Sequence, residues 1–365
     1  MGHDFVGELA GDVGFRAHAW RPPGGSCNAK QGKTVEFQEI LTQFRSQGGV
    51  AENLTWRHGT NGRGLFAVNP RLPVRLHVPE RLLVAPQWVE LDEAGSIRIA
   101  AKSHSSLGAK AVAFFERYHQ FFGWGNGGLK SATAHQRDLQ ALPPQLKNFL
   151  HILGGAEELK QKPTAKYCLQ KYFIARQIGF KSESRLMPMV ELINHAPDGL
   201  PYLVGDGVTV TGVVKDEILA RYHSHLDSFH FFVNYHFATP AHTALSCEVT
   251  VEVPAVGTLT IARNDHLADI LGTIRIPKMT KDRAQMNLSF VEIANKHHPS
   301  QPRKTFASLM ATQDVPDAVS QTLFDGLIEH NRQVLKELIK ACRCHPSAMT
   351  KSLEKVASFQ LTTIG

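Results

Sequence analysis

The stretch Leu186 to Gly199, LMPMVELINHAPDG, carries one acid, Glu191, through an apolar run into Asn194-His195 and then into Ala196-Pro197-Asp198-Gly199. A run of this kind reads as a buried strand or a short tight helix, and it delivers an amide and an imidazole to the place where core meets cavity. Taken alone, such a pair is more simply a satisfied strand end than a ligand site. Upstream, Asn61-Gly62-Arg63-Gly64-Leu65-Phe66-Ala67 is a Gly-x-Gly turn ahead of the first strands. Glycines let backbone approach a ligand closely, and N–H groups exposed in a turn can hold a carboxylate, although a short Gly-x-Gly is by default only a turn. Tyr222 and Tyr235 stand thirteen residues apart after Asp216-Glu217-Ile218, and each reads by default as a half-buried core tyrosine. Arg176 is open between a surface ion pair and a ligand contact. Cys342-Arg343-Cys344-His345 lacks the second ligand pair that a zinc site needs. His223, His225, His230 and His236 match no HExxH pattern and read as solvated loop and helix-face residues. No metal is expected.

Around these residues the chain has the makings of a folded protein. Its 365 residues are 42% hydrophobic and 20% charged, enough for a full core and two lobes. No window approaches the roughly 18 consecutive apolar residues that cross a bilayer, so no membrane partner is expected. The 40 Lys+Arg against 33 Asp+Glu are spread along the chain. They suit a mildly basic face for an acidic partner and do not favour nucleic-acid binding, which needs a basic cluster. Five cysteines, odd in number and mostly isolated, point to a reducing compartment, with the cytoplasm as the expectation. The N-terminus lacks a secretory signal, and Asp4, Glu8 and Asp12 oppose an Arg-rich transit peptide. Residues 1–34, with Arg21-Pro22-Pro23-Gly24-Gly25, read as a loose leader.

The elements that must position the site follow from periodicity. Short apolar runs in GRGLFAV, VRLHVP, RLLVAP and SIRIAA predict strands between about 50 and 100. Phe114, Phe115, Tyr118, Phe121 and Phe122 recur at helical spacing, and GWGNGGLK ends that helix. Pro144 opens a second helix with Leu146, Phe149, Leu150 and Leu153 on one face. A third is expected through AKYCLQKYFIARQIGF, carrying Arg176. Strands return in YLVGDGVTVTGVV, DEILARY, EVTVEVP and TLTIA, and the tail is expected to be helical from about 280. There Asp314-Val315-Pro316 starts a helix with Val319, Leu323, Leu327, Val334 and Leu338 as its apolar stripe.

NGRGLFA, MPMVELINHAP and KDEILARYHSHLDSFHFFVNYHF, in that order and with a helical insert between the first two, resemble the SET domain of the Rubisco large-subunit methyltransferase class. The resemblance covers about 50 to 265. It implies an α+β fold: a SET domain of short strands and small sheets at 35–265, a helical insertion at about 101–165, and a helical C-terminal lobe at 266–365. It implies S-adenosylmethionine as cofactor, with Asn194 and His195 at its adenine and amino end, backbone around Arg63, Gly64 and Leu65 cradling its methionine part, and Arg176 facing cofactor and substrate. Tyr222 is then the orienting or proton-linked hydroxyl, and Tyr235 the wall of the cofactor and lysine channel.

The implied reaction is methyl transfer to a lysine of a non-histone protein, bound through the C-terminal lobe; a histidine acceptor is a variant within the same family. Several positions depart from the family pattern. His236 replaces a glycine after the second tyrosine, Ala175 a serine before the arginine, and Asp227-Ser228-Phe229-His230-Phe231 the usual helix start, although Asp227 can still cap that helix. These motivate an alternative, a SET-derived protein-binding module without catalysis.

Overall fold

The structure, a computed structural model, describes residues 27–60, 62–253, 256–264, 268–271, 274–282 and 285–365. Residues 1–26 of the expected leader and Asn61 of the turn lie outside them. Helix α1 (Cys27–Ser46) takes up the rest of that leader, so the boundary expected at 34 falls inside a helix. Phe37, Ile40, Leu41 and Phe44 recur at helical spacing and are buried, and Phe44 stacks on Phe114 at 5.8 Å.

Short strands follow: β1 (Val50–Glu52), β2 (Leu54–Gly59), β3 (Gly62–Ala67), β4 (Val74–Pro79), β5 (Val89–Leu91) and β6 (Ile97–Ile99). The strand expected in RLLVAP is absent. That segment begins as a single 3-10 turn at Glu80–Leu82, and Leu82, Leu83, Val84 and Ala85 are all buried, a run that the alternating faces of a half-buried strand do not accommodate.

Helices α2 (His104–Leu107), α3 (Ala109–Phe121), α4 (Leu129–Gln140), α5 (Pro144–Leu150), α6 (Ala156–Lys160) and α7 (Ala165–Ile174) come next. Helix α4 is an addition to the expected set: the glycine-rich stretch ends α3 but then coils as a wide turn, Trp124–Gly128, straight into α4. Pro144 opens α5 as expected. Helix α7 stops at Ile174, short of Arg176. Lys181 and Ser182 adopt φ of 48° and 65°, a two-residue turn that folds β7 (Gln177–Phe180) onto β8 (Glu183–Leu186).

The run into Asn194-His195 is a 3-10 turn at Val190–Leu192. The pair opens strand β9 (Asn194–Leu200) rather than ending one. Then come β10 (Leu203–Val204), β11 (Gly207–Gly212), β12 (Leu219–Ala220), α8 (Ser228–Tyr235) and β13 (Thr243–Leu245). The order β1-β4-β11-β10 makes an antiparallel sheet. Val74, Leu76 and Val78 of β4 face the core with Val208 and Val210 of β11, against α1 and α3.

Strands continue through β14 (Val249–Val253), β15 (Gly257–Ile261), β16 (Ala268–Leu271), β17 (Ile274–Pro277), β18 (Met279–Asp282), β19 (Gln285–Leu288) and β20 (Glu292–Asn295). The helical tail therefore begins at Gln301 rather than near 280. Strand β19 lies parallel to β15 and joins them in one sheet of order β14-β15-β19-β18. The tail is α9 (Gln301–Ala311), α10 (Asp317–Cys344) and α11 (Ala348–Ile364). On α10, Ser320, Phe324, Leu327, Asn331, Leu335 and Leu338 are buried, so Leu327 and Leu338 hold their expected places while Val319, Leu323 and Val334 flank the stripe, partly buried. The class is α+β: many small sheets, a central run of helices and a helical C-terminal segment. Among the described residues, no helix is long and apolar enough to cross a membrane.

Candidate functional site

Two chain segments cross at the motifs. The stretch 216–222 runs antiparallel to β3 on one side, with Ala67 N donating to Asp216 O (2.8 Å) and Ile218 N to Leu65 O (2.8 Å). On its other side it runs parallel to β9, through the pairs Leu219↔Asn194 and Ala220↔Leu200. Strand β9 is thus paired only at its ends, which is why Pro197 sits within it without costing a ladder bond. The crossing is tight: a Cβ on Gly199 would stand 2.6 Å from the Ala220 backbone.

Asn194 stitches the crossing together. Its Nδ2 donates to Arg63 O (3.0 Å) and to Glu217 Oε1 (2.7 Å), and a Cβ on Gly64 would come within 2.8 Å of that nitrogen. Gly64 is a glycine because the Asn194 and Glu217 side chains occupy its Cβ direction. Leu65 is fully buried, and its carbonyl is spent on Ile218. Arg57 and Asp216 form an ion pair on the outer side.

His195 and Tyr222 lie side by side. His195 Nδ1 stands 3.2 Å both from the Tyr222 backbone N–H, which can only donate, and from the Ala220 carbonyl oxygen, which can only accept, so the ring ties the 220–222 backbone in either tautomer. Its Nε2 is buried without a hydrogen-bond partner. Burial lowers the His195 pKa to about 4, which keeps the ring neutral at physiological pH. The Tyr222 hydroxyl donates to Ile193 O (2.5 Å), and burial pushes its pKa up. Aromatic rings gather around the pair: Tyr202 at 6.3 Å and Tyr235 at 5.5 Å from Tyr222, and Phe231 at 4.4 Å and Phe237 at 6.0 Å from His195.

Behind them is a buried polar cluster centred on Glu191, whose side chain is 3% exposed. Its Oε1 accepts from the Tyr118 hydroxyl (3.1 Å) and the Tyr172 hydroxyl (3.3 Å), while Oε2 is buried without a partner. His119 Nδ1 stands 3.0 Å from the Tyr172 oxygen, and donation from His119 through Tyr172 to Glu191 makes a consistent chain. Burial raises the Glu191 pKa, against the pull of Arg176, and lowers that of His119 to about 3. Arg176 lies over the Tyr172 ring at 3.9 Å, with Nε 4.0 Å from Glu191 Oε1. Desolvation first, and the nearby Arg176 charge second, lower the Arg63 pKa. Two cations are therefore held close enough to repel, and one of them, Arg176, lies beside the buried acid.

Two of the residues that depart from the pattern the sequence resembles, His236 and Asp227, have local structural roles. His236 caps α8 at φ 64°, ψ 29°, left-handed backbone that favours glycine, and its ring stacks on His135 at 3.8 Å. Asp227 caps the other end of α8 by accepting from His230 N (3.0 Å). The same carboxylate pairs with buried Arg263 (2.8 Å) and accepts from Gln360 of α11 (2.9 Å). Helix α8, which carries Tyr235, is tied by that acid to the tail. Lys171 binds Glu158 (2.9 Å) and Asn234 (3.0 Å), locking α7 to α8.

The structure thus brings Arg63, Gly64, Leu65, Asn194, His195 and Tyr222 into one connected crossing, with Tyr235 and Arg176 on its flanks. Sequence reasoning passed over Glu217, Tyr118, Tyr172, Tyr202, Phe231 and Phe237. The lone acid in an apolar run was a signal for Glu191; Tyr202 offered none. A cleft of about 460 Å³ opens elsewhere, beside α7, lined by Glu157, Glu158, Tyr167 and Lys171 among others. None of the crossing residues lines it, and hydrogen bonds and rings, not that cleft, define the site.

No family model matches the chain, and no curated protein matches it. Among solved structures, it is similar to Rubisco LSMT bound to AdoMet, at 12% identity over 90% of this chain and 89% of that one, with a TM-score of 0.40. It is similar to the SET domain of LSMT bound to lysine and AdoHcy, at 13% identity over 90% and 89% of the two chains, with a TM-score of 0.41. The SET domain of LSMT bound to methyllysine and AdoHcy gives 14% identity over 90% and 89%, with a TM-score of 0.40.

Proposed function

We propose that the chain is an S-adenosylmethionine-dependent protein N-methyltransferase acting on a lysine of a non-histone protein. One observation carries the reading: three stretches far apart in sequence, at 63–67, 194–195 and 216–222, are joined by the Asn194 amide and the His195 ring into one crossing.

The residues present fit the cofactor. Arg63 and Arg176 suit a carboxylate, the unpaired Glu191 Oε2 suits an ammonium group, and the unpartnered His195 Nε2 offers a buried polar atom to the ligand. Gly64, Leu65 and Asn194 hold the backbone against which the ligand would lie. When bound, S-adenosylmethionine supplies an electrophilic methyl group for in-line displacement by a neutral amine.

The protein's part is to orient that amine and keep it neutral. Tyr222 has spent its proton on Ile193 O, so towards the site its oxygen acts as an acceptor. It would take one N–H of the acceptor amine and leave the nitrogen lone pair free. The rings of Tyr202, Tyr235 and Phe237 line an apolar surround, which disfavours an ammonium ion and lowers a lysine pKa. Alignment and a dry channel then do the rest. The helical tail, coupled to α8 through Asp227, Arg263 and Gln360, is the surface we assign to the protein substrate, and a reducing compartment fits the cysteine usage.

The test is transfer of labelled methyl from S-adenosylmethionine to protein in a cell lysate. Label on lysine that disappears with Tyr222→Phe supports the reading. Label on histidine would move the acceptor class. Binding of the cofactor without any transfer, across lysates from several sources, would leave the binding-module alternative.

A further inference from the structure

We propose that Asp198, His242 and His297 form a zinc-type divalent metal site where β9 meets the paired strands β13 and β20. His242 Nε2 stands 3.0 Å from Asp198 Oδ1, and with a ring nitrogen of His297 the three ligand atoms all lie within 4.8 Å of one another. The two imidazole rings are 4.2 Å apart, centroid to centroid. In a tetrahedral site with metal–ligand bonds of about 2.0–2.1 Å, neighbouring donor atoms stand about 3.3 Å apart. His242 and Asp198 are already near that spacing, and only the exposed ring of His297 has to swing inward.

Two imidazoles and one carboxylate suit Zn²⁺, whereas Ca²⁺ and Mg²⁺ take oxygen ligands. Three protein ligands leave a fourth position for water. The backbone builds this placement. Thr243 pairs with Asn295 across β13 and β20, and Lys296 N donates to His242 O (2.8 Å). Asn295 Oδ1 accepts from the backbone N–H of both His297 and His298 (3.0 Å each), and its Nδ2 donates to Glu292 Oε1 (2.7 Å). The turn bearing His297 is therefore pinned from beneath. Asp198 arrives separately, on β9. A bare surface ion pair would account for Asp198 and His242 but not for the second imidazole held against them.

The three ligands are far apart in sequence and match no metal motif, which is why the sequence reading expected no metal. Occupancy would fasten β9, three residues beyond His195, to the β13–β20 pair and raise stability by mass action. It is independent of methyl transfer.

The experiment uses the full chain without an affinity tag, stripped with a chelator and titrated with Zn²⁺ by calorimetry and with Co²⁺ by visible absorption. One equivalent is expected, with cobalt bands of a low-coordinate site that Zn²⁺ displaces, and a higher Tm with Zn²⁺. Losing an outer partner of a metal ligand costs roughly 10–100-fold in affinity, so His297→Ala, at an exposed position, should weaken Zn²⁺ binding at least about tenfold. It should abolish the Tm increase while leaving the metal-free melt unchanged, and Asp198→Asn should act in the same direction. Equal affinity and stoichiometry in wild type and His297→Ala, or no equivalent bound by wild type, would overturn the proposal.

Discussion

Asn194 Nδ2 lies 2.7 Å from Glu217 Oε1, across the line where β9 meets the strand after β11. The contact joins residues whose side chains would otherwise both seek water. Asn194→Asp sets two carboxylates against each other and also deprives Arg63 O of its donor. The Asn194–Glu217 contact is part-buried and the bond to Arg63 O exposed, so the cost stays at the low end, about 1 kcal/mol. The variant should lose that much at pH 8 and less at pH 5, where one carboxyl of the pair takes a proton. Urea unfolding of variant and wild type at both pH values checks this; a pH-independent difference would remove the repulsion from the account.

Tyr222→Phe should cut methyl transfer at least about tenfold, a loss of some 1.4 kcal/mol in transition-state stabilisation, while cofactor affinity stays within a few-fold. In the proposed function the hydroxyl meets the amine and does not hold the cofactor. Unchanged turnover takes Tyr222 out of the mechanism.

The stacked rings of His135 and His236 predict acid sensitivity. Burial, and then the Lys171 charge, lower the His135 pKa to about 4, and His236 is lowered in the same direction, first by burial. The unfolded chain binds these protons below about 6.5 while the folded chain refuses them. The stability they contribute is therefore complete above about pH 6.5 and lost as pH falls towards 4. His135→Phe, which keeps a ring against His236, should flatten that decline by on the order of 2 kcal/mol. Parallel unfolding curves of the two proteins from pH 7.5 to 4.5 would contradict it.

The Asp227–Arg263 pair should be costly to break singly. Both side chains are buried, at 0% and 1% exposure, so Arg263→Met leaves a carboxylate with only His230, Gln360 and backbone N–H groups around it. A loss of about 3–5 kcal/mol is expected. Adding Asp227→Asn should recover part of it, because the uncompensated charge is gone. Thermal melts of the single and double variants measure this coupling, and a double variant no more stable than Arg263→Met would refute it.

What was legible in the sequence and what was not divide along physical lines. Asn194, His195, Gly64 and Tyr222 announce themselves because each sits in a short pattern whose neighbours are local. Tyr118 and Tyr172 meet Glu191 only through tertiary packing, and their helical spacing reads as ordinary core, which they also are. Strand β18 has one half-buried residue followed by three exposed ones, so it offers no alternation to distinguish it from the helical tail that follows. Helix α1 begins in the polar stretch Cys27-Asn28-Ala29-Lys30, and its apolar period starts only near Phe37. Pro197 suggested a break after His195, but a strand paired only at its ends tolerates it.

The proposed function requires the crossing of β3, β9 and the 216–222 stretch to hold S-adenosylmethionine. The most direct measurement is calorimetric titration of the folded protein with S-adenosylmethionine and, separately, S-adenosylhomocysteine, repeated on Asn194→Ala. Micromolar binding of both ligands to wild type, weakened about tenfold or more when Asn194 no longer holds the Arg63 carbonyl and Glu217, is the expected result. No heat from either ligand with protein that melts cooperatively, or equal affinity in the variant, would contradict it.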